Sequence, residues 1–268
     1  MSGPTTFVLN SQVSTHRFKN PGGVVQVSAE KLTYRDAVAR LRFAQKPKAQ
    51  TPAYLRFVNR RLGGYLAAGA FVRGWTPNHL TAISAGLSLL GALGIALVHP
   101  SFWLGVLVSL ALLAGFAFDS ADGQLARLRG GGSPAGEWLD HVVDAVKSCV
   151  LHSAVLIGAY RFVPDLSAWV LLLPLVFLTA YVTLAFASML RDQLLRARAK
   201  DRGPAEDGDD SLIRGLLLLP IDYGTLCLAF LLLGAPKVFL AGYGVLAVLN
   251  VLFDLRLLVR TYRTLALA

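Results

Sequence analysis

Four acids stand at or inside the ends of apolar stretches, where a carboxylate is out of place: Asp119 and Asp122 near the end of one run, Asp140 and Asp144 near the start of the next. A charge close to hydrocarbon is costly unless it is paired, hydrated or bound to a cation, so such acids are candidates for function. Asp119 and Asp122 are spaced i,i+3 and Ala126 follows one turn on, which puts the three on one helical face. Gly136, Asp140 and Asp144 repeat at i,i+4,i+8 and form a second stripe. The joining turn, Leu128 to Ala135, holds Gly130-Gly131-Gly132-Ser133-Pro134 and is short enough to make the two helices antiparallel neighbours, stripe facing stripe. Asp119 and Asp122 would sit at a helix end where the dipole disfavours them, so capping explains them badly.

Four carboxylates converging in a low dielectric need more compensation than Arg127 alone gives. Divalent cations supply it. Oxygen ligands without His or Cys at matching spacing favour Mg²⁺ or Mn²⁺ over Zn²⁺, and such a cluster could hold two ions for phosphoryl chemistry. Gly123 and Ala126 leave the same face without bulk, so a substrate group can approach the helix backbone, and Arg127 is placed to meet a diphosphate.

The elements that must position these residues are membrane helices. Of 268 residues 54% are hydrophobic and only 16% charged, with a mean hydropathy of +0.54, against roughly 25% charged in soluble domains. Lys and Arg number 26 against 16 Asp and Glu, a net +10 that in so apolar a chain points to lipid headgroups or phosphorylated substrates and away from nucleic acid. Cys149 and Cys227, each inside an apolar run, form neither a disulfide framework nor a zinc site.

No Lys, Arg, Asp or Glu occurs from Pro77 to Phe118, long enough for two spans with His99-Pro100-Ser101 between them. Further apolar runs at about 136–160, 166–190, 213–233 and 238–259 bring the expected count to six transmembrane helices. The fold class is therefore all-α and polytopic. Residues 1–51 read as a polar cytosolic arm with a short helix around Leu32 to Lys46, and 52–75 as an amphipathic juxtamembrane helix. Residues 76–260 form the six-helix catalytic domain and 261–268 a tail. The basic residues of the arm, of Arg127/Arg129, of Arg191 to Arg202 and of Arg260/Arg263 would share one side, which places both termini and the acids on the cytoplasmic side of the cell membrane.

The pattern DxxDGxxAR, eight residues, GxxxDxxxD resembles the signature of the CDP-alcohol phosphotransferases, with Asp119, Asp122, Gly123, Ala126, Arg127, Gly136, Asp140 and Asp144 at its fixed positions. The resemblance implies transfer of a phosphatidyl or similar group from a CDP-linked lipid to an alcohol, with release of CMP. By that resemblance Asp119, Asp122 and Asp140 are metal ligands, and Asp144 is both a ligand and the base for the incoming hydroxyl. Gly123, Arg127 and Gly136 would contact the CDP moiety, with Ala126 on the same face and Asn78, Thr81 and Ser133 joining them. It implies a homodimer as well. About residues 52–260 are similar to the family, and the first fifty lie outside it.

The alcohol is not named by these residues. Arg191, Arg214 and Arg256, with Arg196 near them, ring the expected cytoplasmic mouth and suit a phosphorylated acceptor such as glycerol 3-phosphate or inositol phosphate, although the positive-inside rule also places arginines there. Asp222, Asn250 and Asp254 are further polar residues of the last spans. Lys147 extends the Asp140/Asp144 stripe and is expected to pair with Asp144 or a partner helix. Prenyltransferases with aspartate-rich motifs would need a second acidic motif downstream, where Asp222 stands alone. A transporter using the acids as a relay would need broken helices or inverted repeats, which the sequence does not display.

Overall fold

A computed structural model of the chain describes residues 33–43, 52–198 and 218–266. The described residues are helical, with no strand among them. In chain order they form α1 (Tyr34–Phe43), a π-helical turn (Leu55–Asn59) running into α2 (Arg60–Val72), α3 (Pro77–Leu97), α4 (Phe102–Leu128), α5 (Pro134–Phe162) and α6 (Ala168–Arg198). A 3-10 turn (Leu219–Ile221), α7 (Tyr223–Ala229), a 3-10 segment (Phe230–Gly234) and α8 (Pro236–Ala266) complete the set.

Local chemistry sets the helix starts. Thr76 precedes Pro77 and its backbone N–H donates to His79 Nδ1 at 3.1 Å. Ser101 and Ser133 accept at Oγ from the N–H groups of Leu104 (3.2 Å) and Gly136 (3.0 Å), satisfying donors that an α-helix leaves open in its first turn. Between α4 and α5 the chain reverses through Gly130 and Gly131 at φ 93° and 128°, left-handed values that suit glycine, and the Gly131 N–H donates to the Ala126 carbonyl at 3.0 Å. That turn is tied down from outside, since Arg129 Nη2 donates to the Trp75 carbonyl at 2.6 Å.

Five helices, α3 to α6 and α8, are long and apolar enough to cross a membrane. Their outward faces carry large apolar side chains such as Leu90, Trp103, Leu107, Tyr160, Trp169 and Phe186, which suits a lipid surround. Residues 213–217 of the sixth expected span lie outside the described residues. The rest of that stretch is shorter than a full span: seven residues of α7 and five of 3-10 helix reach only about 20 Å against a hydrocarbon core of about 30 Å. Asp222 starts α7 by accepting from the Gly224 N–H at 2.9 Å, and the Gly234-Ala235-Pro236 junction ends the segment.

Helix α3 packs on α4 and α5, α6 on α5 and α8, and the α7 segment on α4. Close contact is needed where α5 passes α3, because a Cβ on Gly158 would fall 2.5 Å from the Ile95 carbonyl oxygen. Two cores result. One, with Ile95, Val108, Leu112, Val155, Phe177, Phe230 and Tyr243, fills the bundle; the other joins Ala37 and Leu41 of α1 to Ala67, Ala68, Leu80, Ala121 and Leu125. The helix expected within the polar arm thus exists and packs on the juxtamembrane helix. Helix α2 is in turn pinned to α4 by Asn59 Nδ2 on the Phe116 carbonyl (3.1 Å) and Gln124 Nε2 on the Arg60 carbonyl (3.0 Å). Along α4 the acidic residues lie between Leu112 of the first core and Leu125 of the second.

Candidate active site

The glycine turn reverses the chain into α5, which packs on α3 and not, as the short turn predicts, directly on α4, so the acids of the two helices meet through their side chains alone. One carboxylate oxygen each from Asp119, Asp140 and Asp144 lies within 4.8 Å of the other two. All three residues are partly exposed. Asp122 stands apart from this trio: it is buried, 5% exposed, and its Oδ2 accepts from Thr81 Oγ1 at 2.7 Å. Asp122 is one helical turn from Asp119, so α3 contributes the hydroxyl that holds one acid while α4 and α5 supply the others.

Lys147 lies inside the cluster. Its Nζ forms ion pairs with Asp119 Oδ1 and with Asp144 Oδ1, the latter at 2.7 Å, and donates to Ser84 Oγ at 3.1 Å. The sequence expects a pair with Asp144 or with a partner helix; the ammonium makes both, reaching Asp119 on α4 as well as Asp144. Nothing local in the sequence carries the Asp119 and Ser84 contacts, because they depend on the rotation of α3 and α4 against α5.

The remaining motif residues surround the acids. A Cβ on Gly123 would meet only Arg127 Nη1, at 3.6 Å, so this face of α4 is open. Arg127 is half-buried, and its Nε has no hydrogen-bond partner among the described residues. Gly136, Ser133 and Asn78 come together at the start of α5: a Cβ on Gly136 would lie 3.2 Å from Ser133 Oγ and 3.9 Å from Asn78 Oδ1. Ser133 serves there as the helix cap. Ala126 lies beside the turn, 3.8 Å from where a Cβ on Gly132 would be.

Of the expected acceptor arginines, Arg191 and Arg256 are described, and neither is drawn into this cluster. Arg191 donates through Nε and Nη2 to Asp192 Oδ1, at 3.0 and 2.8 Å. Arg256 is exposed and lines a surface groove with Leu255, Val259, Arg260, Arg263 and Thr264. Arg214 lies outside the described residues, as does the side chain of Arg196. Asp222 is engaged structurally, with Oδ2 accepting from the Leu55 N–H at 3.0 Å. Asn250 Nδ2 donates to the Leu246 carbonyl at 2.8 Å. Asp254 is buried with neither carboxylate oxygen hydrogen-bonded among the described residues. His152 is a satisfied core histidine, its Nδ1 2.5 Å from the Tyr243 hydroxyl.

The donor set suits a hard divalent cation. Three carboxylate oxygens in mutual reach, with a fourth acid one turn away and no His or Cys in the group, fit Mg²⁺ or Mn²⁺ better than Zn²⁺. A helical bundle with five helices long and apolar enough to cross a membrane thus carries an acid cluster that suits a divalent cation, beside a half-buried arginine and an open glycine face.

The family model for CDP-alcohol phosphatidyltransferase matches residues 75–255, and the chain belongs to that family. The phosphatidylinositol phosphate synthase of Corynebacterium glutamicum is 39% identical over 80 residues, 30% of this chain and 35% of the relative. That of Mycobacteroides abscessus is 36% identical over 81 residues, with 30% and 35% covered. The matched stretch spans about a third of the length of these curated relatives. Among solved structures, Mycobacterium tuberculosis phosphatidylinositol phosphate synthase with CDP-DAG bound is similar at a TM-score of 0.50 and 21% identity, covering 76% of this chain and 94% of that one. The same protein in complex with manganese and citrate gives 0.50 and 22%, with 74% and 87% covered. These likenesses establish the shared fold.

Proposed function

We propose that the chain is a metal-dependent CDP-alcohol phosphatidyltransferase of phospholipid synthesis, which moves a phosphatidyl group from a CDP-linked lipid such as CDP-diacylglycerol to an alcohol and releases CMP. The observation that carries this is the convergence of Asp119, Asp140 and Asp144 beside Asp122 and Arg127 in a chain of this family. The curated relatives are named for phosphatidylinositol phosphate synthesis, which favours inositol phosphate as acceptor over glycerol 3-phosphate or serine.

Asp119, Asp122, Asp140 and Asp144 would hold Mg²⁺ or Mn²⁺, two ions in this reading. Bound there, the metal supplies positive charge to the diphosphate and to the departing CMP. The chain's own residues do the rest. Arg127 brings a half-buried guanidinium, its buried Nε–H unpaired among the described residues, whose positive charge suits a phosphate. Gly123, Gly136, Ala126, Asn78, Thr81 and Ser133 border the space for the CDP moiety, and the lack of side chains at the two glycines lets it approach the backbone. Asp144, with a side chain 46% exposed, is well placed to meet an alcohol arriving from water. It takes the hydroxyl proton as the alcohol oxygen attacks the lipid-side phosphorus, and the bond from that phosphorus to the CMP oxygen breaks. Asp140 stays a ligand and moves no proton.

The deciding experiment measures CMP release by detergent-purified protein given CDP-diacylglycerol, with and without Mg²⁺ or Mn²⁺, against inositol phosphate, glycerol 3-phosphate, inositol and serine. Metal-dependent release with inositol phosphate, abolished in Asp144→Asn, is the expected result. Metal-dependent release with another alcohol would keep the reaction and replace the acceptor; absence of both turnover and CDP-diacylglycerol binding would end the proposal. The acceptor role of Arg191, Arg214 and Arg256 has its own test, since full activity in the joint charge-neutral variant would remove it.

A further inference from the structure

Lys147 sits where the acid cluster has its densest negative charge. Its ammonium touches Asp119 on α4 and Asp144 on the adjacent turn of α5, two of the three acids whose oxygens lie within 4.8 Å of one another, and Ser84 on α3 provides a third, neutral contact. The side chain is only 14% exposed and is anchored one turn from Asp144, so it cannot leave for water when the cluster is filled. The oxygens it engages carry the lone pairs that a divalent cation would use, and an ammonium a few ångströms from a divalent ion repels it strongly in a partly desolvated site.

We propose that Lys147 is a built-in counter-ion of the metal site. It holds the carboxylates of Asp119 and Asp144 together across two helices before metal arrives, then yields those oxygens and retreats on to Ser84 as metal enters. It is a positioning residue. Its consequence is a site that is preformed without metal, yet binds metal more weakly and exchanges it more readily than the acids alone would. This rests on the metal-dependent reading above, but concerns a residue outside the eight-position motif.

The test is a Mn²⁺ titration of detergent-purified protein without substrates, following free Mn²⁺ by electron paramagnetic resonance in wild type, Lys147→Met, Lys147→Arg and Asp144→Asn. Lys147→Met is expected to bind Mn²⁺ at least about tenfold more tightly than wild type, and Lys147→Arg, which keeps the charge, to stay within a few-fold. Asp144→Asn is expected to bind more weakly. Recovery of folded Lys147→Met only when Mn²⁺ is present throughout purification would also support the proposal, because the metal then takes over the bridging. Unchanged or weaker Mn²⁺ binding in Lys147→Met, or failure to fold with and without metal, would overturn it while leaving the metal-dependent reading of the wild type in place. Wild-type protein with no Mn²⁺ binding sensitive to Asp144 would bring down the metal-dependent reading itself.

Discussion

Asp122 differs from the other three acids in being buried, and a buried carboxylate depends on every donor it has. Thr81 provides one at 2.7 Å, so Thr81→Val removes a hydrogen bond to a charged group at a cost of about 1.5–3 kcal/mol. If Asp122 works as an ionised ligand, CMP release should fall roughly ten- to hundredfold in Thr81→Val and recover in Thr81→Ser. Steady-state rates at saturating Mn²⁺ check this, and an unimpaired Thr81→Val would mean that Asp122 is not needed as a charge. That Asp119 shares a face with Asp122, and Asp140 with Asp144, is legible in the sequence because i,i+3 and i,i+4 spacing fixes a helical face whatever surrounds it. The duties of Thr81 and Lys147 are not, since contacts between helices depend on their relative rotation. At Arg191 the adjacent Asp192 accepts from the guanidinium, a local contact that a reading by charge and topology does not anticipate.

Elements are legible to the extent that hydropathy marks them. The uncharged run ends at Asp119, yet α4 continues to Leu128, because helix propensity and packing against α2 carry it past the first charge. The last apolar stretch before α8 reads as a full span, but Asp222 and the Gly234-Ala235-Pro236 junction confine the described helix to Tyr223–Gly234. Both junctions make testable demands. Gly131 at φ 128° should tolerate no β-branched residue, and Gly131→Val is expected to cost about 1–2 kcal/mol and to lower melting temperature and CMP release together, as the α4 and α5 stripes lose register. Asp222 serves two N–H donors, those of Gly224 and Leu55, so Asp222→Ala should destabilise by about 1–2 kcal/mol with an unchanged KM for the acceptor. Thermal unfolding and acceptor titration separate the alternatives: a raised acceptor KM with normal melting would move Asp222 into the substrate pocket.

At the scale of the whole molecule the helix ends sort into two groups. Arg129 reaches the Trp75 carbonyl, which joins the α4–α5 turn to the α2–α3 loop at the end that bears the acids. At the opposite end, Pro164 to Ser167 share a surface pocket with Lys237 and Leu240, and the His99 ring meets Phe162 edge-on at 5.5 Å. Arg127, Arg129, Arg260 and Arg263 belong with helix ends of the first group, whereas Arg161 and Lys237 are cations of the second. We propose that the arginine-rich end faces the cytoplasm, as the positive-inside rule requires. In a Cys149→Ser, Cys227→Ala background, Ser167→Cys should react with a membrane-impermeant maleimide in intact cells, and Arg263→Cys only after lysis. The reverse labelling would put the carboxylate end on the outer side and overturn the proposed orientation, whatever the rate of the reaction.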